Sequence, residues 1–210
     1  MAISLAAALG LAAQCAPTVA PETLLSVVQV ESRFEPLAIG VNGAPRLTVT
    51  PSSVDDAVAK AGTLIAAGRN VDLGLAQINS KNLSWLGLSL ADAFEPCTNL
   101  RAAARILQDG YVRSDAVRVG EQTALKTALS YYNTGHPARG FSNGYVGKVR
   151  SAAARIVPAI GGASLAGLSE AAPAAPPEIP PPAWDVFGEV HRGRGSFVTT
   201  VSITAPGGTQ

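Results

Sequence analysis

Glu31 closes an apolar run, Leu24-Leu25-Ser26-Val27-Val28, that opens at Pro21. Proline suits the first turn of a helix, and Pro36 disfavours helical geometry in the residue before it. The spacing therefore predicts a helix that starts at Pro21, ends by Glu35 and carries Glu31 in its C-terminal part. The macrodipole is negative there, and Glu35 brings a second carboxylate nearby. With burial, both effects oppose ionisation and would lift the Glu31 pKa above the ordinary carboxylate range, which suits a general acid near neutral pH. Taken alone, the local pattern describes a solvated helix-end residue more readily than a catalytic one.

Two more segments deliver short polar groups to element ends. Gly74-Leu75-Ala76-Gln77-Ile78-Asn79 is a glycine turn followed by two amides. Ala128-Leu129-Ser130-Tyr131-Tyr132-Asn133-Thr134-Gly135 ends a helical stripe in a phenol and an amide. Amides and phenols suit a sugar site, because amides hydrogen-bond hydroxyl and N-acetyl groups while rings stack on sugar faces. Trp85 in Leu83-Ser84-Trp85-Leu86 reads as core, His136 before Pro137 as an exposed loop residue, and Arg101, Arg105 and Arg150 as helix-surface charges.

The elements that must position these residues are helical. Leu5, Ala8, Leu9 and Ala12 have helical spacing, and Met1 to Ala13 contains no Lys or Arg, so this stretch reads as a first helix rather than a signal peptide. Its apolar run also falls short of the roughly 20 residues of a membrane span. Residues 36–51 read as loop or a short hairpin. Ser53 and Asp56 make a capping box for a helix through Ala67 that stops at Gly68. Residues 70–79 read as irregular. Ser89 and Thr98 are expected N-caps, the second for a helix with Leu100, Ala103, Ala104, Leu107 and Tyr111 on one face. Leu125, Ala128, Leu129 and Tyr132 mark another helix. Ser142 is the expected cap of a last one, with Tyr145, Val149, Ala152, Ala153 and Ile156 inward and Pro158 beyond its end.

The 210 residues divide into a mainly α domain over 1–160 and a low-complexity tail over 161–210 that is expected to be disordered. Trp184-Asp185-Val186-Phe187-Gly188 is an apolar island in that tail. Hydrophobic residues make up 47% of the chain and charged ones only 15%, the excess being mostly alanine. A net charge of +1 gives no footprint for nucleic acid. Cys15 and Cys97 lack metal-ligand spacing, which leaves two buried thiols or one disulfide across a long loop.

Read in order, Glu31-Ser32, Gly74-Leu75-Ala76-Gln77 and Tyr132-Asn133-Thr134-Gly135 resemble the soluble lytic transglycosylase domain. Ala38-Ile39-Gly40-Val41-Asn42-Gly43 and Gly68-Arg69-Asn70-Val71-Asp72-Leu73-Gly74 are similar to the members that accompany type IV secretion systems. Glu95-Pro96-Cys97-Thr98-Asn99-Leu100 and Gln14-Cys15-Ala16-Pro17 fit that subgroup too. The resemblance runs over residues 5–157 and leaves out the tail.

The resemblance implies a lysozyme-like helical fold with a cleft for peptidoglycan glycan strands. Glu31 would protonate the β-1,4 glycosidic oxygen between N-acetylmuramic acid and N-acetylglucosamine. It would then take the proton of the muramic C6 hydroxyl as a 1,6-anhydro ring closes. Ser32 would orient Glu31 or touch substrate; Gln77, Asn79 and Asn133 would hydrogen-bond the glycan; Tyr132 would support Glu31 or a sugar; Tyr145 matches a tyrosine that faces the cleft. No metal or cofactor is implied. The compartment would be the periplasm, where Cys15 and Cys97 are expected to be joined, and the tail would meet secretion-channel subunits. Ala76 departs from the family, replacing a common methionine, and the stretch from Glu31 to Gly74 is longer than in the family at large. Two rivals remain: a muramidase using Glu35 or Asp72 to activate water, and a non-catalytic wall-binding scaffold. Goose-type lysozymes carry an aspartate where this chain has Asn79, and an amide cannot act as that base.

Overall fold

The computed structural model describes residues 1–43 and 47–166, and the expectations for residues 167–210 lie outside them. The Ser4 hydroxyl accepts from the Ala7 amide and starts α1 (Leu5–Cys15), whose Ala8, Ala12 and Cys15 are buried. Pro21 opens α2 (Pro21–Glu31), in which Thr23 through Val28 are all buried. A helix buried on every side belongs at the centre of a domain, and α2 packs chiefly against α9 (Tyr145–Ala166). The second main pairing is α5 (Pro96–Arg113) on α7 (Glu121–Thr134). A Cβ on Gly110 would lie 3.1 Å from the Ala128 Cα, so glycine there sets how closely those two helices approach.

Between α2 and α5 the chain builds a small antiparallel sheet, ordered β2-β1-β3-β4, from β1 (Ile39–Val41), β2 (Leu47–Val49), β3 (Val71–Leu73) and β4 (Ile78–Asn79). The β1–β2 pair lies where a loop or hairpin was expected. The irregular reading of residues 70–79 is corrected: both its ends are strands, paired with Asp72 opposite Asn79 and Gly40 opposite Asp72. Runs of two and three residues are too short to show a sequence period, and tertiary pairing decides them. Between β2 and β3 lies α3 (Val54–Ala66), opened by the Ser53 side chain on the Asp56 amide as expected.

Four expected helix ends fall elsewhere. Ser89 and Asp92 cap one another around a single tight turn, Asp92–Phe94, rather than opening an α-helix. Helix α5 starts at Pro96, not after Thr98, because the Glu95 carboxylate accepts from the Cys97 and Thr98 amides at 2.9 and 2.6 Å. Ser142 ends the short α8 (Arg139–Ser142), and Asn143 instead receives the Tyr145 amide at 2.9 Å. Pro158 lies inside α9, not beyond it. It is on the exposed face, as is Ala154, so the carbonyl that proline cannot bond faces solvent. The two remaining short helices are α4 (Leu83–Leu86) and α6 (Ala116–Val119).

Cys15 and Cys97 form a disulfide with Cα atoms 5.3 Å apart, which ties the end of α1 to the first turn of α5. No described helix is long and apolar enough to cross a membrane.

Candidate active site

Glu31 is the last residue of α2, and the chain turns sharply after it. Arg33 and Phe34 have φ of 56° and 67°, a left-handed conformation that costs free energy in residues other than glycine. Phe34 is nevertheless buried, so core packing holds the turn that ends the helix at the cleft. From the start of α9, the buried Tyr145 donates its hydroxyl proton to Glu31 Oε1 at 2.5 Å. Burial first, then the Glu31 charge, pushes the Tyr145 pKa well above the ordinary phenol value. Tyr145 is therefore a lasting donor that fixes the plane of the carboxyl group. Its own placement is relayed: Asn143 Oδ1 accepts from the Tyr145 amide, and Asn143 Nδ2 donates to Asn133 Oδ1 at 2.8 Å.

The glycine turn supplies the other wall. Gly74 has φ +74°, and a Cβ there would overlap the Ala93 carbonyl and the Asn99 amide. Asn99, fully buried, donates to the Leu73 and Ala93 carbonyls and accepts from the Ala76 amide at 2.8 Å, locking the turn onto α5. Gln77 has φ +51°, and its Nε2 donates to the Ala38 and Gly74 carbonyls. Tyr132 donates to the Ala76 carbonyl at 2.6 Å, so its hydroxyl braces the turn rather than the Glu31 carboxyl. Burial first, then the charges of Glu31 and Asp72, raises its pKa well above the ordinary value.

These elements enclose a cleft of about 860 Å³, within the roughly 300–1,000 Å³ of typical ligand sites. It brings together Glu31, Gln77, Asn79, Tyr132 and Asn133 from the residues singled out by sequence. Ser32 does not line it: its hydroxyl points back at the Val28 carbonyl, 3.5 Å away. Tyr145 reaches the site through its bond to Glu31. Asn79 Nδ2 donates to Asp72, and Asn79 Oδ1 accepts from the Lys81 amide. Glu35 is not in the cleft and pairs with the Met1 amino group at 3.2 Å.

Sequence reading placed Trp85 in the core, and this is corrected: it is 44% exposed and lines the cleft. Its Nε1 donates to Asn82, and Arg105, read as a plain surface charge, lies 5.1 Å from the ring centre. The apolar neighbours Leu83 and Leu86 carry the burial of that short helix, leaving the indole partly exposed. Asn42 and Asn99 were overlooked as well. Each was visible only as one polar residue within a motif, and their roles depend on partners 23 to 30 positions away. Among the described residues, no group of three His, Cys, Asp or Glu side chains could hold a metal ion.

The transglycosylase SLT domain matches residues 9–153, more than half of the chain. A Type IV secretion system protein virB1 from Brucella suis biovar 1 is 48% identical over 149 residues, covering 68% of this chain and 62% of that protein. Protein virB1 from Agrobacterium fabrum is 44% identical over 147 residues, covering 70% and 59%. The alignments thus span about three-fifths of the relatives' own length. No solved structure matches the chain. With Glu31, the glycine turn and Tyr132 all inside the matched region, the chain belongs to the transglycosylase SLT domain family.

Proposed function

We propose that the protein is a peptidoglycan lytic transglycosylase that cleaves the β-1,4 bond between N-acetylmuramic acid and N-acetylglucosamine. The observation that carries this reading is the Glu31 carboxyl group at a helix end, held by the Tyr145 hydroxyl in a polar cleft large enough for sugar rings. Glu31 delivers its proton to the glycosidic oxygen, and the C1–O bond breaks with its electron pair passing to the leaving N-acetylglucosamine. The C6 hydroxyl of the muramic residue then attacks C1 while Glu31 takes back a proton, giving the 1,6-anhydro product. Gln77, Asn79, Asn133 and Tyr132 shape the cleft, and Trp85 offers an exposed ring on which a sugar can stack. Ser32 acts only through the helix end.

The Brucella relatives named as type IV secretion system proteins support a role in opening the wall locally, on the periplasmic side, for a secretion or conjugation apparatus. The tail beyond residue 166 would then meet channel subunits. The hydrolytic reading requires a base to activate water, about 6.5–9.5 Å from the acid in an inverting enzyme. Glu35 does not line the cleft, so of the two carboxylates named for that role Asp72 is the one in place. Digestion of purified sacculi separates the readings by product mass. Anhydro-muropeptides are expected. Products heavier by one water would establish hydrolysis, and no products would leave a wall-binding scaffold.

A further inference from the structure

We propose that Lys81 recognises the peptide stem of the substrate, its ammonium group taking a carboxylate of the stem carried by the muramic residue at the cleavage point. The inference rests on the glycan-cleaving reading above and concerns the one part of that substrate which the reading leaves unplaced. Lys81 is the middle residue of a single tight turn, Ser80–Asn82, that follows β4 and leads into α4. The Asn79 side chain starts that turn. Its Oδ1 accepts from the Lys81 amide at 3.1 Å, and its Nδ2 donates to Asp72 at 2.6 Å. One amide side chain thus holds both the cleft wall and the backbone from which the lysine side chain leaves. Asp72 and Glu31 both act on the Tyr132 hydroxyl, so the turn borders the part of the cleft that contains Glu31.

Charge singles out Lys81. Among the described residues, the cleft is lined by three carboxylates, Glu31, Asp72 and Asp109, and by two cations, Lys81 and Arg113. Arg113 is engaged: it pairs with Asp109 at 3.3 Å and lies 4.2 Å from the Tyr131 ring centre. Lys81 forms no ion pair with any described carboxylate, although acids outnumber bases around it. The hydroxyl and N-acetyl groups of a glycan strand are neutral and give such a cation nothing to neutralise. The stem does: it hangs from the C3 lactyl group of muramic acid and carries free carboxylates. An anionic stem beside an acidic cleft needs a cation that is not already paired, and Lys81 meets that need. A lysine is a point charge on a flexible four-carbon arm, which suits a peptide that has to be followed rather than gripped in one pose. A lysine that merely offset the acids of the cleft would affect every strand alike, whatever charge the stem carried.

The test uses soluble glycan strands released from sacculi by an endopeptidase, with the stem carboxylates either free or converted to amides. Wild type, Lys81→Met and Lys81→Arg are assayed on both kinds of strand. On free-carboxylate strands Lys81→Met is expected to raise KM about 3- to 10-fold, between the effect of an exposed ion pair and that of a charge-assisted hydrogen bond. Its kcat, Tm and products should stay near wild type. Wild type should show the same rise in KM on amidated strands, Lys81→Met should no longer tell the two strands apart, and Lys81→Arg should remain close to wild type. Equal KM for wild type and Lys81→Met on free-carboxylate strands overturns the proposal. So does an equal loss on both kinds of strand, which would mean that Lys81 serves the glycan or the fold. If the wild type releases no product from either strand, the proposal falls together with the function it rests on. Wild-type products heavier by one water overturn the ring-closing step alone, and the same KM comparison still judges Lys81.

Discussion

Glu31 and Tyr145 are 114 positions apart and share a 2.5 Å hydrogen bond, so the Glu31 carboxyl is only as well placed as the junction of α2 with α9. Glu31→Gln keeps the shape of that junction and removes the transferable proton. Cleavage of sacculi is expected to fall by about 10²–10⁴-fold with Tm unchanged. Near-wild-type release of muropeptides would rule Glu31 out. Tyr145→Phe removes only the donor, and a hydrogen bond to a charged group contributes about 1.5–3 kcal/mol. A drop in kcat of roughly 10- to 100-fold is therefore expected, smaller than for Glu31→Gln. Equal losses in the two variants would mean that Tyr145 does more than orient the acid. At this scale the sequence was informative about the types of residue present, and less so about their duties. Gln77 and Asn79 read as sugar contacts and Tyr132 as a support for Glu31 or a sugar, whereas their hydrogen bonds go largely to carbonyls and to Asp72.

The helices were largely legible because each needs only a local pattern and a cap. Ser53 with Asp56, Pro21, and the stripe from Leu100 to Tyr111 all mark elements found in the fold. The sheet was harder to read, since strands of two and three residues have no measurable period and form by pairing, β1 with β3 30 to 34 positions away and β3 with β4 across the Gly74 turn. Caps were misread where a different side chain reached the amides first, as Glu95 does ahead of Thr98 and Asn143 ahead of Ser142. The Gly74 turn is the element that joins sheet to α5. Gly74→Ala combines a left-handed φ with overlap on the Ala93 carbonyl. A loss of about 3 kcal/mol or more is expected. The measurement is thermal unfolding, with Tm lowered by about 10 °C. An unchanged Tm would show that the turn yields easily and does not hold the cleft wall.

On the scale of the whole molecule, the Cys15–Cys97 bridge closes a loop of 82 positions, for which chain entropy suggests about 4 kcal/mol. Denatured, unreduced protein from an oxidising compartment is expected to titrate no thiols, and the reduced form to melt about 10 °C lower. Two titratable thiols would mean that the bridge does not form there. The matched domain ends at residue 153 and α9 at Ala166, past the expected boundary at 160. A chain ending at Ala166 is therefore expected to cleave sacculi like the full protein while failing in assembly. Lost cleavage with a lower Tm would make the tail part of the domain. By itself the sequence determined the mainly helical class, the place of Glu31 in the C-terminal part of a helix and the order of the motifs, because helix periodicity and motif order are properties of the chain read locally. Only the tertiary structure decided that Trp85 faces the cleft, that Glu35 does not, and that Asn42 and Asn79 grip Asp72. Burial and pairing depend on which distant segment covers each side chain, and no local pattern carries that information.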